Sequence, residues 1–415
     1  MAIKRNTLYV LKEAIEQIDL GEDEINILIS GISSIHLFDD VLDFRQLGKT
    51  KYPLKDILMM TFLVLLERGK QSFEYIADYI ALNKKRFVRY GLLNEDLDTP
   101  SHDTFRRIFS LLDADSLRKH TIDRFYEFLK DIEIKEKGLA HLAIDGKQVN
   151  SSGRSQDSRN PQNNYNVLNV YSSTYGTCLY SEVVNDKTNE IPAGQEALSN
   201  FNLKKTVVTA DALHLQSKTI DIINSKGGKY LITLKENQKG LYEEVLAKFN
   251  NPRLKKSIKL IEKDTYTLEI LKLPKNYMGY ENFKNIKTFI RMTSNKNPKK
   301  TVIRYFVSDL LKTDEIEFSV NERWSIENDL HKLKDTYLHE DEFRCTDKNA
   351  VKNIVVMNNL ICQLINIYYP LSGYEYRLAK IALSTNTYEE ILKLLTFLSS
   401  DTIKEKLIKA VSKKK

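Results

Sequence analysis

Only three of the 415 residues are cysteine, Cys178, Cys345 and Cys362, and no two lie close in sequence. An odd and scattered set excludes a disulfide framework and a thiolate zinc cluster, and it suits a reducing compartment. Long hydrophobic runs are missing too. The longest apolar stretch, Ile57 to Leu66, falls well short of the roughly 20 residues a membrane-spanning helix requires. The first residues, MAIKRNTLYVLKEAIEQIDLGEDE, carry Glu and Asp where a secretory leader needs an apolar core. The expectation is a soluble, cytoplasmic protein with no membrane partner. No Gly-rich phosphate loop and no nucleophile–base motif occurs, which argues against a small-molecule enzyme. Internal repeats and low-complexity tracts are also lacking.

What is present is a core-forming composition, 42% hydrophobic, with an uneven charge. The net charge is +7, yet residues 251–300 hold thirteen Lys or Arg against four Asp or Glu. The rest of the chain is therefore slightly acidic. A concentrated basic segment is the footprint of a polyanion binder, although a solvated Lys-rich face would look the same.

Residues 1–138 read as helical. Asp56–Leu66, Phe73–Leu82 and Asp103–Leu112 space their apolar residues by three and four, and Pro100-Ser101-His102-Asp103 is a helix start that Ser101 or Asp103 can cap. The pattern changes at Gly138. Leu139–Ile144 is a short apolar run that stops at Asp145-Gly146-Lys147, as a buried strand ending in a turn does. Tyr165–Thr174 and Thr177–Val184 flank Tyr175-Gly176, a hairpin signal. Asn189–Asn200 suits a helix. Thr206–Ala210 is a second β-branched run, ending at Asp211, and a helix follows until Gly227-Gly228. Tyr230–Leu234 is a further strand. The order of elements predicts an α/β fold, a mixed sheet under helical cover. We divide the chain into an all-α N-terminal region, residues 1–138, with a possible DNA-binding role, a first core segment 139–239, a basic β-rich insertion 240–318, and a largely helical C-terminal region, residues 319–415. Helices are expected over Ala350–Tyr369 and Ala379–Leu398.

Two apolar runs thus each end in an aspartate, 145 and 211. Carboxylates at strand ends sit where α/β sheets bind ligands, and oxygen-rich sites select Mg²⁺ or Mn²⁺; equally, an Asp that opens a loop is ordinary turn chemistry. A third carboxylate stands in Arg323–Tyr337, RWSIENDLHKLKDTY. On a helical wheel at about 100° per residue, Glu327 falls at about 40° from Arg323, Lys334 at about 20° and His331 at about 80°. Ile326, Leu330, Leu333 and Tyr337 form an adjacent apolar stripe. Arg323 and Glu327 would also serve as a plain i,i+4 surface pair.

Several blocks, in order, resemble the DDE transposases of bacterial insertion sequences, in the H-repeat-associated (ISAs-type) branch. They are Pro100–Phe105, Ile144-Asp145-Gly146-Lys147, Asn189-Glu190-Ile191-Pro192, Thr209–Leu213, Tyr230–Gln238, and Arg323–His331 followed by Glu340-Asp341 and Arg344. The resemblance implies an RNase H-like core, a β-rich insertion before the Glu-bearing helix, and a catalytic triad of Asp145, Asp211 and Glu327. It further implies two Mg²⁺ ions held by that triad, with Mn²⁺ as a substitute, Asp145 bridging the pair. Double-stranded DNA, both element ends and target, is the implied partner, bound by a homodimer. Arg323 and Lys334 are expected to hold phosphate. Lys147 reads as a phosphate contact or a solvated lysine. His331 reads as an orienting group or a helix-surface histidine, and Trp324 as core. In the family's Tyr, Arg, Glu, Lys signature Val320 stands where Tyr is expected, and Lys332 replaces a frequent Trp. The competing readings are an RNase H-like nuclease without strand transfer and a catalytically inactive, transposase-derived DNA-binding protein.

Overall fold

The computed structural model describes residues 37–371 apart from 47, 69–71, 125, 127–138, 155–158, 160, 186–188, 278–279, 281–282, 284 and 295–300, together with residues 381 and 405. The expected helix Ala379–Leu398 lies outside the described residues. The described part of the helical N-terminal region carries α1 (Leu54–Arg68), α2 (Phe73–Leu82), α3 (Lys84–Arg89), α4 (His102–Leu111) and α5 (Ala114–Arg118). Ser101 caps α4 by accepting from the Thr104 backbone N–H, as the Pro-Ser-His-Asp pattern predicts.

The sheet carries β1 (Ala140–Gln148), β2 (Asn166–Ser172), β3 (Thr177–Val184), β4 (Thr206–Ala210) and β5 (Lys229–Leu234), with α6 (Glu190–Asn200) and α7 (Ser217–Ser225) between them. Its spatial order starts β3-β2-β1-β4-β5. The first three strands are antiparallel to their neighbours, whereas β1, β4 and β5 run parallel. This is an RNase H-like sheet. Gly176, at φ +62°, takes the left-handed position in the β2–β3 turn that the Tyr-Gly pair signals.

The basic insertion extends the same sheet. After α8 (Lys239–Asn250) come β6 (Ile258–Lys263), β7 (Tyr266–Lys272), β8 (Thr288–Ser294) and β9 (Val302–Ser308). β9 pairs antiparallel with β5, and β8, β7 and β6 follow outward, giving nine strands. The sequence reading has no helix at 239–250, where Leu241, Val245 and Phe249 face the core at four-residue spacing. Beyond β9 lie α9 (Thr313–Glu322), α10 (Lys332–Thr336) and α11 (Lys348–Leu371).

Neighbouring strand residues go to opposite apolar layers, so both faces of the central sheet are covered. Ala143 and Val167 join the layer under α1, α2, α4 and α11, while Ile144 and Leu168 join the layer beneath α6, α7 and α8. α11 is fastened by buried amides. Asn349 and Asn353 donate to carbonyls at the end of α4, and Asn359 donates to the Ser181 hydroxyl on β3. Gln363 reaches the Ile122 carbonyl and Thr177. Each bond satisfies a group that would be costly to bury alone. Together they join the N-terminal helices to the sheet.

Candidate active site

Two local structures differ from the sequence reading, and both shape the site. β1 does not stop at Asp145. Its pairing with β4 ends at Ile144↔Ala210, but its pairing with β2 continues to Gln148↔Asn166, with Asp145 opposite Asn169. Asp145 therefore stands mid-strand, at the point where the parallel neighbour leaves, and Asp211 is the first residue past β4. The stretch Arg323–Tyr337 is not one regular helix either. Ile326–His331 forms a π turn between α9 and α10. A π turn advances each residue by less than an α-helix does, so residues after it rotate away from their places on an α-helical wheel. Glu327 faces out, while Lys334 turns into the protein.

Asp145, Asp211 and Glu327 line one open cleft of about 880 Å³, together with Lys235, Arg304 and Arg323. Burial pushes the Asp145 carboxyl up to about 6, and the charges of Glu327 and Asp211 push the same way. Glu327 is raised by burial, against the pull of Arg323 and Arg304. Asp211 behaves otherwise. Burial alone would raise it, but Lys235, the Ala212 backbone N–H and Arg323 together more than offset this, and the net shift is downward. The Lys235 ammonium lies 3.0 Å from one Asp211 oxygen and 3.1 Å from the other.

Arg323 is buried over two rings, 3.9 Å from the Trp324 centroid and 5.7 Å from that of Phe306. Arg304 approaches the same indole at 4.8 Å. Trp324 is thus half-buried at the rim of the cleft between two guanidinium groups, rather than in the core. The Arg323 Nε finds no hydrogen-bond partner among the described residues, and burial lowers the guanidinium's proton affinity.

His331 is almost enclosed. Its Nδ1 lies 3.8 Å from an Asp145 oxygen and its Nε2 lies 3.3 Å from the Asn169 amide. Burial depresses the ring to about 3, so the contact with Asp145 is not an ion pair at neutral pH. With Asn169 donating to Nε2, the hydrogen-bond pattern assigns the ring proton to Nδ1, on the Asp145 side.

The two remaining lysines go elsewhere. Lys147 is buried against Asp335, Glu340 and Asp341 at 2.7, 3.1 and 2.9 Å. Lys334 is wholly buried, 3.5 Å from Glu340. Neither reaches the cleft, which corrects the expectation that they hold phosphate. Their places beside the cleft are taken by Lys235 and Arg304, which the sequence reading passed over. Lys235 had a signal, directly after a strand and within a matched block. Arg304 lies in a strand whose alternation says nothing of its role. Two other matched blocks also meet here, since the buried Glu190 carboxylate abuts Gly146 where a Cβ would stand.

Among the described residues no group of three or more His, Cys, Asp or Glu side chains is close enough to enclose a metal ion. The three carboxylates share the cleft without converging. No described helix is long and apolar enough to cross a membrane.

The chain belongs to the transposase DDE domain family, which matches residues 136–364, and the domain associated with that family matches residues 35–123. The protein called "Putative transposase YncI" in Escherichia coli O157:H7 is 26% identical over 383 residues, spanning 88% of this chain and 95% of the relative. The "H repeat-associated putative transposase YhhI" of Escherichia coli K12 is 24% identical, over 84% of this chain and 95% of the relative. Among solved structures, a piggyBac transposase synaptic complex with hairpin DNA aligns over 94% of this chain and 84% of its own. Its TM-score is 0.41 and its identity 12%, too distant a likeness to argue from.

Proposed function

We propose that this insertion-sequence transposase cuts the ends of its DNA element and joins each freed 3′-OH to target DNA, using Asp145, Asp211 and Glu327 as ligands for two divalent cations. The observation that carries this reading is the electrostatics of the cleft. Three carboxylates from three separate elements face one space, and Asp145 is raised by burial and by the other two. Such a site favours a bound cation, and an all-oxygen donor set fits Mg²⁺, with Mn²⁺ as a substitute. When bound, the ions supply neutralisation of phosphate charge and activation of a hydroxyl nucleophile.

The protein's own groups do the rest. Asp145 feels both other acids and, with Asp211 and Glu327, would hold the ions. His331, neutral with its proton on Nδ1, stands 3.8 Å from the Asp145 carboxylate and is close enough to turn toward it when the site is loaded. Arg304, Arg323 and Lys235 bring positive charge to the scissile phosphate. In the first step water attacks phosphorus and the strand leaves as a 3′-OH. In the second, that hydroxyl attacks a target phosphodiester, which releases a target 3′-OH as the new bond forms. No protein–DNA covalent bond is needed. Double-stranded DNA is the partner, and a homodimer would present one cleft to each element end.

The test is a Mg²⁺ titration of cutting and joining on linear DNA bearing candidate element ends, with wild type and Asp145→Asn. We expect metal-dependent cutting and joining, both lost in the variant. Cutting without joining at any metal concentration would identify a plain nuclease. Binding without cutting would identify an inactive DNA-binding descendant.

A further inference from the structure

Beside the cleft, on the same face of the sheet, lies a second group of charges that the reaction does not use. Lys147 follows Asp145 by two residues in β1, so both side chains leave the strand on one side. Lys334 follows Glu327 by seven residues, across the π turn. Each of the two segments therefore contributes one acid to the cleft and one lysine to the interior.

Both lysines meet at Glu340, which is 1% exposed. One Glu340 oxygen accepts from Lys147 at 3.1 Å. The other faces Lys334 at 3.5 Å and accepts from the Asn358 amide of α11 at 3.0 Å. Lys147 is held further by Asp335 and Asp341. Asp341 accepts from the Asn150 side chain at 2.7 Å, and its carbonyl accepts from the Ser151 hydroxyl. One buried carboxylate thus ties the Asp145 strand, the segment bearing Glu327, and α11.

We propose that Lys147, Lys334 and Glu340 form a buried ionic clamp that sets the placement of Glu327 relative to Asp145, which makes Glu340 a positioning residue of the cleft. The proposal rests on the reading of Asp145 and Glu327 as ligands of one site. Desolvation of buried charges roughly cancels their attraction, so such a group adds little net stability over a well-packed apolar one. What it adds is a strict geometry. An apolar contact tolerates a slip of a fraction of an ångström, whereas a buried ammonium cannot leave its carboxylate without facing a low dielectric alone. Misplacement of reacting groups by about 1 Å can lower a rate on the order of 100-fold. The π turn raises the need for an anchor. It is a short, uncommon geometry that lets one segment aim Glu327 outward and Lys334 inward, and the clamp holds the inward side. Lys334 has no route to a phosphate, since it has no exposed surface and would have to abandon Glu340.

The decisive variant is the neutral pair Lys334→Met with Glu340→Gln. It removes both charges at similar volume and leaves Lys147 with Asp335 and Asp341. We expect native-like melting and unchanged binding of element-end DNA without divalent metal. At saturating DNA the cutting kcat should fall by about 10- to 100-fold, the range for groups that orient metal ligands, with KM unchanged. The affinity of the DNA-free protein for Mn²⁺, measured by electron paramagnetic resonance, should fall within the same range. Wild-type kcat and Mn²⁺ affinity in the folded variant would overturn the clamp and leave a purely structural cluster. Weaker DNA binding with a shallower salt dependence and an unchanged kcat would overturn it in favour of phosphate contact. Should the pair fail to fold, Asp341→Asn replaces it, being partly exposed, and a smaller fall in kcat at constant KM is expected; none would overturn the clamp. Asp145→Asn is run beside each variant. If that control still cuts, it is the assignment of the cleft that fails and not the clamp.

Discussion

The cleft and the clamp are built from the same two segments, and they treat carboxylates in opposite ways. In the cleft Asp145 and Glu327 are both raised, because burial and neighbouring acids outweigh the cations nearby. In the clamp Glu340 is more deeply buried, yet Lys334 and Lys147 overcome burial and hold it at about 2. One site leaves its acids under-compensated and open to solvent. The other compensates its acid from within and admits no solvent. The contrast separates two settings on one strand and one helical segment: the acids at 145 and 327 face an open cleft, and the lysines at 147 and 334 face the interior.

The sharpest way to break the contrast is Asp145→Asn. With Asp145 a cation ligand as proposed, its loss should forfeit several kcal/mol of transition-state stabilisation. At tenfold per 1.36 kcal/mol, cutting should fall on the order of 1000-fold or more. Metal-free stability should move the other way. Asp145 has a folded pKa above its unfolded value, so its contribution is full below about 3.8 and is lost as pH rises through about 6. At pH 7 the charge therefore opposes folding, and Asn should raise the melting temperature in chelator, by roughly 1–3 kcal/mol in free energy. A melting temperature that falls would mean the carboxylate is a structural partner.

The matching change in the clamp, Glu340→Gln alone, should show the reverse. It strands Lys334 in the interior and should cost about 3–5 kcal/mol by denaturant unfolding at pH 7. The sign with pH is opposite as well. Glu340 has a depressed folded pKa, so its stabilisation is present above its ordinary 4.5 and is lost as pH falls through about 2. Wild type and variant should therefore converge in stability between those limits. Parallel curves down to pH 2 would show that Glu340 is not charged in the fold.

The alternation of β-rich runs and helices was readable from residue order, because two-residue and four-residue periodicities report burial directly. So was the RNase H-like core, through motif blocks that match a family. The π turn was not. Its six residues follow helical composition, and nothing in their order marks the extra residue per turn, although Ile326 and Leu330 are buried in the layer that holds α11. That local geometry displaced Lys334 from its wheel position. Lys147 was misplaced for another reason. Its partners lie nearly 200 residues ahead in sequence, and no local pattern records a contact of that range. The reading of Asp145 as a strand end came from composition, which turns polar at 145 while the β2 pairing continues.

A third region extends the comparison. Lys255, Lys256 and Lys259 lie before and within β6, the outer strand of the sheet, and all three are exposed. They belong to the basic segment, and no specific base contact is expected of them. If all three touch phosphate, neutralising them should reduce the slope of log affinity against log salt by up to roughly 2.7, at about 0.9 per contact. Specific and random DNA should weaken alike, while kcat and melting stay at wild type. An unchanged slope would make this face a solvated one.

The smallest effect tests the one acid in the cleft that already has a partner. Lys235 is 60% exposed, so its ion pair with Asp211 is screened and contributes no more than about 1 kcal/mol. Even so, it is the first of the groups that, with the Ala212 N–H and Arg323, reverse the effect of burial on Asp211 and leave that carboxyl below its ordinary value. In Lys235→Ala, Asp211 should titrate higher than in wild type, by carbon-detected NMR on metal-free protein, and so move toward Asp145 and Glu327, the raised acids of the cleft. The stability Asp211 contributes above its unfolded pKa, and loses as pH falls through the folded one, should shrink accordingly. All three acids would then be less compensated than the clamp's, and the cleft would differ further from the clamp. If Asp211 does not move, the ammonium does not rest on it in solution, and Asp211 owes its low value to the backbone N–H of Ala212.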